Sequence, residues 1–181
     1  MKAFIVGLIL GLIAVPVVVY MYFASGSAPV ATSAPPMPLE RTFARMALHA
    51  RMEKEMPKSA PPIAADEATY TAGAQIYKDH CAVCHGLPGQ SQTAIAKGMF
   101  PRPPKLMEGT GVSDDPAGDT YWKVTGGIRM TGMPAFDKSL SPTQIWQVSL
   151  LLANSDKLPK TVMDNLSGMA APAPAAPEMK K

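Results

Sequence analysis

The chain contains only two cysteines, and they lie three positions apart in the segment Cys81-Ala82-Val83-Cys84-His85. Two cysteines cannot form the disulfide framework of a small secreted domain, so the pair indicates a local chemical site. A thioredoxin-like redox pair needs a strand–helix–strand setting, and no parallel-strand pattern surrounds these residues. A structural zinc site needs four ligands, and His80 is the only further candidate nearby.

The spacing C-x-x-C-H is the attachment signature of a c-type haem. Two thiols separated by two residues at the end of a helix can reach both vinyl groups of one porphyrin and form two thioethers. The adjacent imidazole then lies below the iron and can coordinate it. The sequence therefore predicts one covalent haem c on Cys81 and Cys84, with His85 as an axial ligand of the iron.

A methionine in a rigid loop is the candidate for the second axial ligand. Met133 lies in the segment Gly132-Met133-Pro134-Ala135-Phe136, 48 residues after His85. The proline restricts Met133 to an extended backbone, which suits a side chain directed inward from a loop. Met130 competes for the role, but the loop context favours Met133. If neither methionine bound the iron, its sixth position would be open for catalysis or gas sensing. His49 is the other side chain that could fill that position, but a single histidine on a connector helix is usually solvated.

These motifs, taken in order, resemble those of class I cytochromes c, in particular the single-haem modules that are membrane-anchored carriers or parts of oxidases and dehydrogenases. The resemblance covers roughly residues 67–158, about half of the chain. It rests on the attachment motif, the segment from Pro101 to Leu106, the segment from Gly127 to Phe136, and the helix that contains Trp146. It implies an all-α cytochrome c fold with three to four short helices around one haem.

The resemblance also implies roles for other residues. The carbonyl of Pro104 would accept the Nδ1 proton of His85 and so orient the imidazole. Trp122 and Arg129 would lie near the haem, at a propionate. The first and last helices of the fold would cross at small and aromatic residues, which are Gly73, Tyr77 and Trp146 in this sequence.

The N-terminal segment is long and apolar. The 21 residues from Ala3 to Phe23 carry no charge and are long enough to span a membrane as a helix. Lys2 and the lack of any further Lys or Arg before Arg41 predict a cytoplasmic N-terminus. The small residues after Phe23 leave a cleaved signal peptide as the alternative. Both interpretations export the chain, and we expect a bacterial inner-membrane protein with its haem on the periplasmic side.

Composition divides the chain into four parts. Residues 1–24 are the anchor or signal peptide, and residues 25–65 are a Pro/Ala-rich tether. Residues 66–158 are the cytochrome domain, and residues 159–181 are an Ala/Pro-rich tail. The tether includes an amphipathic helix at about 39–56, whose apolar positions recur at helical spacing. That helix can lie on the membrane surface, contact a partner subunit, pack on the cytochrome, or remain a partly solvated connector.

Within the cytochrome part, the pattern predicts several short helices separated by loops. A helix is expected from Asp66 to His80, and a loop-rich stretch from Gly86 to Asp119. A second short helix is expected at 119–126. Ser141 is a good N-cap and Pro142 a good first helical residue, so another helix is expected to begin there. A further short segment follows Pro159.

Charge narrows the classes of function. Residues 66–158 carry a net charge of −1, and the positive excess lies in residues 1–58, so no nucleic-acid-binding face is expected. Nothing resembles a catalytic triad or a phosphate-binding loop. We therefore expect no enzyme activity, but one-electron transfer between redox proteins of a respiratory-type chain. The alternative is a fixed haem c subunit of a larger membrane oxidoreductase complex.

Overall fold

In the computed structural model, residues 1–109 and 111–168 are described, and all their regular elements are helical. The predicted all-α cytochrome c fold is therefore confirmed. Of the predicted Ala/Pro tail at 159–181, residues 169–181 lie outside the described residues, whereas Lys160–Ser167 form a helix in which Val162 and Leu166 are buried. The α-helices are α1 (Lys2–Ala24), α2 (Glu40–Glu55), α3 (Glu67–Ile76), α4 (Ala82–His85), α5 (Ala94–Gly98), α6 (Ala117–Gly126), α7 (Pro142–Ala153) and α8 (Lys160–Ser167). A π-helical turn, Tyr77–Cys81, joins α3 to α4.

The chain divides into two compact units, Met1–Met46 and Ala47 onward. The first unit contains α1, which by length and composition is able to cross a membrane and has a mean hydropathy of 2.7. Its large apolar side chains are exposed. The predicted boundary at residue 66 stays a prediction, but the second compact unit begins well before it.

The helix expected from Asp66 to His80 begins as predicted and ends later. Asp66 is the N-cap, and its carboxylate accepts a hydrogen bond of 2.8 Å from the backbone N–H of Thr69. The backbone then passes through the π-helical turn and continues helically to His85, so the predicted end at His80 is wrong. The helical stretch ends at Gly86, whose φ of +79° lies outside the helical region. Glycine suits this position because the conformation is strained for residues with a Cβ.

Helices α3 and α7 cross at close range to form the centre of the core. A Cβ on Gly73 would lie 2.4 Å from the carbonyl oxygen of Gln147, so only glycine permits this crossing. Trp146 stacks on Tyr121 of α6, with ring centroids 4.2 Å apart. The largest fully buried side chains are Tyr77, Ile145, Leu151, Leu152, Leu166, Val148, Val162 and Ser149.

The remaining helices differ from expectation mainly at their ends. Ser141 caps α7 in a reciprocal capping box with Gln144, which confirms the predicted start. The helix expected at 119–126 begins two residues earlier, at Ala117. The short helix α5 was not expected in the loop-rich stretch, and it forms because the Thr93 hydroxyl caps the backbone N–H of Ala96.

Helix α2 confirms the helix predicted at about 39–56 to within one residue. Its second half belongs to the second unit, where Met52 is buried. The Trp122 indole N–H donates to Glu55 across 3.3 Å. The backbone of Pro57 lies so close to Gly118 that a Cβ there would be 2.2 Å from the Pro57 oxygen. The second half of α2 and the residues after it therefore pack on α6.

Candidate functional site

The attachment motif lies where the π-helical turn passes into α4. Cys81 ends the turn, and Cys84 and His85 end α4. Both cysteines are free thiols and are half-buried. The π-helical turn widens the backbone by one residue where the motif begins, and such turns are frequent at functional sites.

Burial controls the ionisation of the groups around this motif. It raises the pKa of the Cys81 thiol to about 12, and the neighbouring Cys84 adds to the effect. Burial also raises the pKa of Tyr77 far above its ordinary value, with a further contribution from Cys81. The pKa of His85 is lowered, because burial outweighs the opposing effect of its bond to Pro104. The imidazole is therefore held neutral near physiological pH, the form that can bind a metal.

His85 contacts the backbone of the proline-rich loop, which is the segment from Pro101 to Leu106. Its Nδ1 lies 2.8 Å from the carbonyl oxygen of Pro104, the contact that the resemblance implied. Because a carbonyl oxygen only accepts, Nδ1 carries the proton and the Nε2 lone pair is available to a metal. The Gln92 side chain donates to the carbonyl of Pro103 across 2.9 Å and so holds the adjoining peptide in place.

The two candidate methionines differ strongly in their surroundings. Met133 is half-buried and packs against the hydrophobic core. Met130 is 91% exposed and has a φ of +61°. The backbone of Met133 is anchored at both ends: its oxygen accepts from the N–H of Ile128 at 3.2 Å, and its own N–H donates to the Thr131 hydroxyl at 3.1 Å.

The residues present fit a haem c. A neutral imidazole with a free Nε2, two thiols at the required spacing and a thioether on a separate loop form a suitable donor set. Phe136, three residues after Met133, lies edge-on to His80 with ring centroids 6.0 Å apart, so the methionine loop packs beside the turn that carries the attachment motif. Half-buried apolar side chains from separate loops also pack on the core, namely Leu87, Leu106, Met107, Val112, Met133 and Phe136.

Trp122 and Arg129 lie together in a cleft of the second unit. Its remaining lining is Glu55, Pro57, Tyr121, Thr125, Gly126 and Gly127. The Trp122 indole donates to Glu55 of the connector helix. Their implied role at a haem propionate stays a prediction. Nothing in the sequence predicted the contact with Glu55, because the two residues are 67 positions apart.

Three further residues brace the site, and sequence reasoning assigned none of them a hydrogen bond there. Tyr77 donates its hydroxyl proton to the Gly86 carbonyl at 2.7 Å. Thr93 donates to the Val83 carbonyl at 2.6 Å, inside the attachment motif. Gln92 is the third, through the proline-rich loop. For Gln92 and Thr93 the available signal was a polar residue shortly after the motif, and for Tyr77 it was an aromatic residue shortly before it.

Among the residues that the structure describes, no group of three or more His, Cys, Asp or Glu side chains is arranged to hold a metal ion. The zinc interpretation of the cysteine pair therefore lacks a ligand set there. A haem does not need such a cluster, because the porphyrin supplies four of the ligands of its iron.

Comparison with known families agrees with this geometry. Residues 68–150 match the family described as cytochrome c oxidase, cbb3-type, subunit III. This part of the chain is a c-type cytochrome domain. A domain of this family carries haem c and transfers electrons. The matched residues include the attachment motif, the proline-rich loop and Met133.

Two further comparisons give partial matches. The quinohemoprotein alcohol dehydrogenase ADH IIB of Pseudomonas putida is 29% identical over 97 residues, which are 52% of this chain and 12% of that protein. A solved structure of the Kuenenia stuttgartiensis reducing HAO-like protein complex is 27% identical, with a TM-score of 0.46. That match covers 57% of this chain and 52% of the other. The chain thus spans only a small part of the curated relative that it matches.

Proposed function

We propose that this cytochrome is a one-electron carrier with a single haem c attached to Cys81 and Cys84 and ligated by His85 and Met133. His85 directly follows the second cysteine of the pair. The observation that carries the proposal is the 2.8 Å contact between its Nδ1 and the Pro104 carbonyl oxygen. A haem c held there supplies a one-electron Fe(III)/Fe(II) couple. The same contact supports Nε2 of His85 as the ligating atom.

Each residue of the site has a distinct part in this proposal. The Pro104 carbonyl orients the imidazole and makes it more electron-donating. Met133 would hold the iron through its thioether, which would raise the reduction potential and favour electron transfer over substrate binding. Its half-buried side chain, compared with the 91% exposure of Met130, supports the choice between the two methionines. Ligand identity therefore favours electron transfer over catalysis or sensing.

The proposed location is the periplasmic face of a bacterial inner membrane. Helix α1 has the length and composition of a membrane span. Lys2 is the only charged side chain in α1, at its N-terminal end, which supports a cytoplasmic N-terminus. An anchored domain of this kind exchanges electrons with redox proteins in the same membrane through small, transient contacts.

Optical spectra of the haem-loaded protein test the ligands. We expect a c-type reduced spectrum and, when the protein is oxidised, a weak near-infrared band from thioether-to-iron charge transfer. The band disappears in Met133→Ala and persists in Met130→Ala, the matched control. Ready binding of carbon monoxide by the reduced wild-type protein would show an open sixth site and would overturn the His/Met assignment.

The second candidate function is a fixed haem c subunit of a larger membrane oxidoreductase. It is favoured by the family match to an oxidase subunit and by the occurrence of a similar stretch within a much longer dehydrogenase. Extraction in mild detergent followed by size-exclusion chromatography separates the two candidates. An independent carrier elutes as a small species, whereas a fixed subunit co-elutes with partner polypeptides.

A further inference from the structure

Helix α2 carries apolar side chains on two different faces. Met52 in its second half is 7% exposed and packs within the second unit. Leu39, immediately before the helix, and Phe43 and Met46 in its first half are 62%, 58% and 56% exposed. These three residues are spaced four and three positions apart and form one stripe, which lies roughly 150° around the helix from Met52. The fold buries one apolar face and leaves the side chains of the other more than half exposed.

The surroundings of the stripe favour a lipid surface. The stripe belongs to the same compact unit as α1, the helix able to cross a membrane. Tyr20, Tyr22 and Phe23 lie in the last turns of α1, the position at which aromatic side chains mark a membrane–water interface. The residues between Ala24 and Glu40 form a continuous tether from the end of α1, which limits the distance of the stripe from that interface to about 58 Å.

The charges of the first half of α2 agree with this environment. Arg41 and Arg45 lie on the face opposite the stripe, and both are exposed. The Glu40 carboxylate accepts a hydrogen bond from the backbone N–H of Met37 at 2.8 Å and is thereby engaged at the start of the helix. A basic polar face opposite Leu and Phe side chains is typical of helices that lie in the headgroup region of a bilayer.

We propose that the stripe of Leu39, Phe43 and Met46 lies in the headgroup region of the bilayer that α1 spans. The inference rests on the membrane anchoring in the proposed function and adds a second, peripheral contact with the same membrane. The free tether is then reduced to the residues between Ala24 and Leu39. The second half of α2 continues directly into the cytochrome unit.

Site-directed spin labelling tests the placement in the full-length, haem-loaded protein. The protein is reconstituted into vesicles of phosphatidylethanolamine and phosphatidylglycerol. Because Cys81 and Cys84 are the only cysteines in the chain, and the proposal ties both into thioethers, a cysteine introduced at another position is labelled selectively. The variants are Phe43→Cys and Met46→Cys in the stripe, and Ala44→Cys on a neighbouring exposed face as the matched control.

For each label we measure the collision rates with oxygen, which partitions into lipid, and with a nickel chelate, which stays in water. We expect the ratio of oxygen to nickel collisions to be several-fold higher for the labels at 43 and 46 than for the label at 44. Equal and high nickel accessibility at all three positions would overturn the proposal, because the stripe would then face water. Immobile labels that neither reagent reaches would also overturn it in favour of a protein partner. Spin–spin broadening between labels would identify that partner as a second copy.

Two control measurements separate failure of this inference from failure of the proposed function. If the unsubstituted chain takes up the label, its cysteines are not in thioethers, and the proposed haem attachment is wrong. If the unsubstituted protein does not float with the vesicles in a density gradient, the proposed anchor is wrong. When both controls behave as expected, the collision data report on the stripe alone.

Discussion

The Tyr77 hydroxyl donates a 2.7 Å hydrogen bond to the carbonyl of Gly86, nine residues further along the chain. Tyr77 begins the π-helical turn, and Gly86 ends the helical stretch that carries the attachment motif. The bond therefore closes the segment between them from inside the core. It restricts how far Cys81, Cys84 and His85 can shift relative to the rest of the domain.

Removing that hydroxyl is expected to destabilise the domain without changing its packing. Tyr77→Phe leaves the buried Gly86 carbonyl without its partner, which costs about 1–3 kcal/mol in the free energy of unfolding. Urea denaturation of the haem-loaded protein measures the loss. Tyr121→Phe is the control, because the ring stacking on Trp146 persists there. Equal stability of wild type and Tyr77→Phe would contradict the role assigned to the bond.

The Gln92 side chain is expected to tune the reduction potential through the proline-rich loop. It holds the Pro103 carbonyl, next to the Pro104 oxygen that accepts from His85. In Gln92→Ala the loop loosens and the imidazole becomes less electron-donating, so the potential rises by tens of millivolts. Potentiometric titration measures the shift. Gln90→Ala, two residues before Gln92, is the control, and a potential unchanged in Gln92→Ala would contradict this role of Gln92.

Local chemistry explains which parts of the structure could be predicted from the sequence. The cap at Ser141, the start of a helix near Asp66 and the approximate extent of α2 depend on residues within one or two turns, so the local sequence predicted them. The π-helical turn was missed because it depends on how tertiary packing closes the segment between Tyr77 and Gly86.

Long-range contacts around the site were also beyond sequence reasoning. The Trp122–Glu55 bond joins residues that are far apart in the chain and have no local pattern in common. The contact between His85 and Pro104 was different, because the resemblance to a family implied it. In the absence of such a resemblance, a proline carbonyl 19 residues away carries no sequence signal of its role.

The N-cap at Asp66 is expected to give the stability of the domain a dependence on acid pH. Hydrogen bonds from Thr69 lower the pKa of Asp66 below its ordinary value. The cap therefore stabilises the fold fully above the unfolded-state pKa of about 3.9, and this contribution is lost as the pH falls through the lower folded-state pKa. The stability difference between wild type and Asp66→Ala should shrink over that range.

Urea titrations at a series of pH values from neutral to about pH 3 measure this difference. Asp66→Asn is the matched control, because asparagine caps a helix without titrating. The stability difference between Asp66→Asn and Asp66→Ala should not change with pH, because neither side chain titrates. A wild-type advantage over Asp66→Ala that grows as the pH falls would contradict the assigned sign.

We call the second half of α2 together with residues 56–58 the connector. The close approach of Gly118 to Pro57 is expected to hold this connector on α6. In Gly118→Ala the new Cβ would lie 2.2 Å from the Pro57 oxygen, which is a backbone atom and cannot move alone. The connector must shift away, at a cost of about 1–3 kcal/mol that exceeds the gain of roughly 1 kcal/mol in helix propensity. Trypsin should then cleave after Lys54 and Lys58 faster than in the wild type.

Gly126→Ala is the matched control within the same helix, because a Cβ at Gly126 meets nothing within 4 Å. That variant should keep the wild-type cleavage rate and gain slightly in stability from helix propensity. If Gly118→Ala cleaved no faster than Gly126→Ala, the connector would not depend on this contact. Faster cleavage in Gly118→Ala alone would show that the approach of Gly118 to Pro57 holds the segment after α2 on α6, where Glu55 also accepts the indole N–H of Trp122.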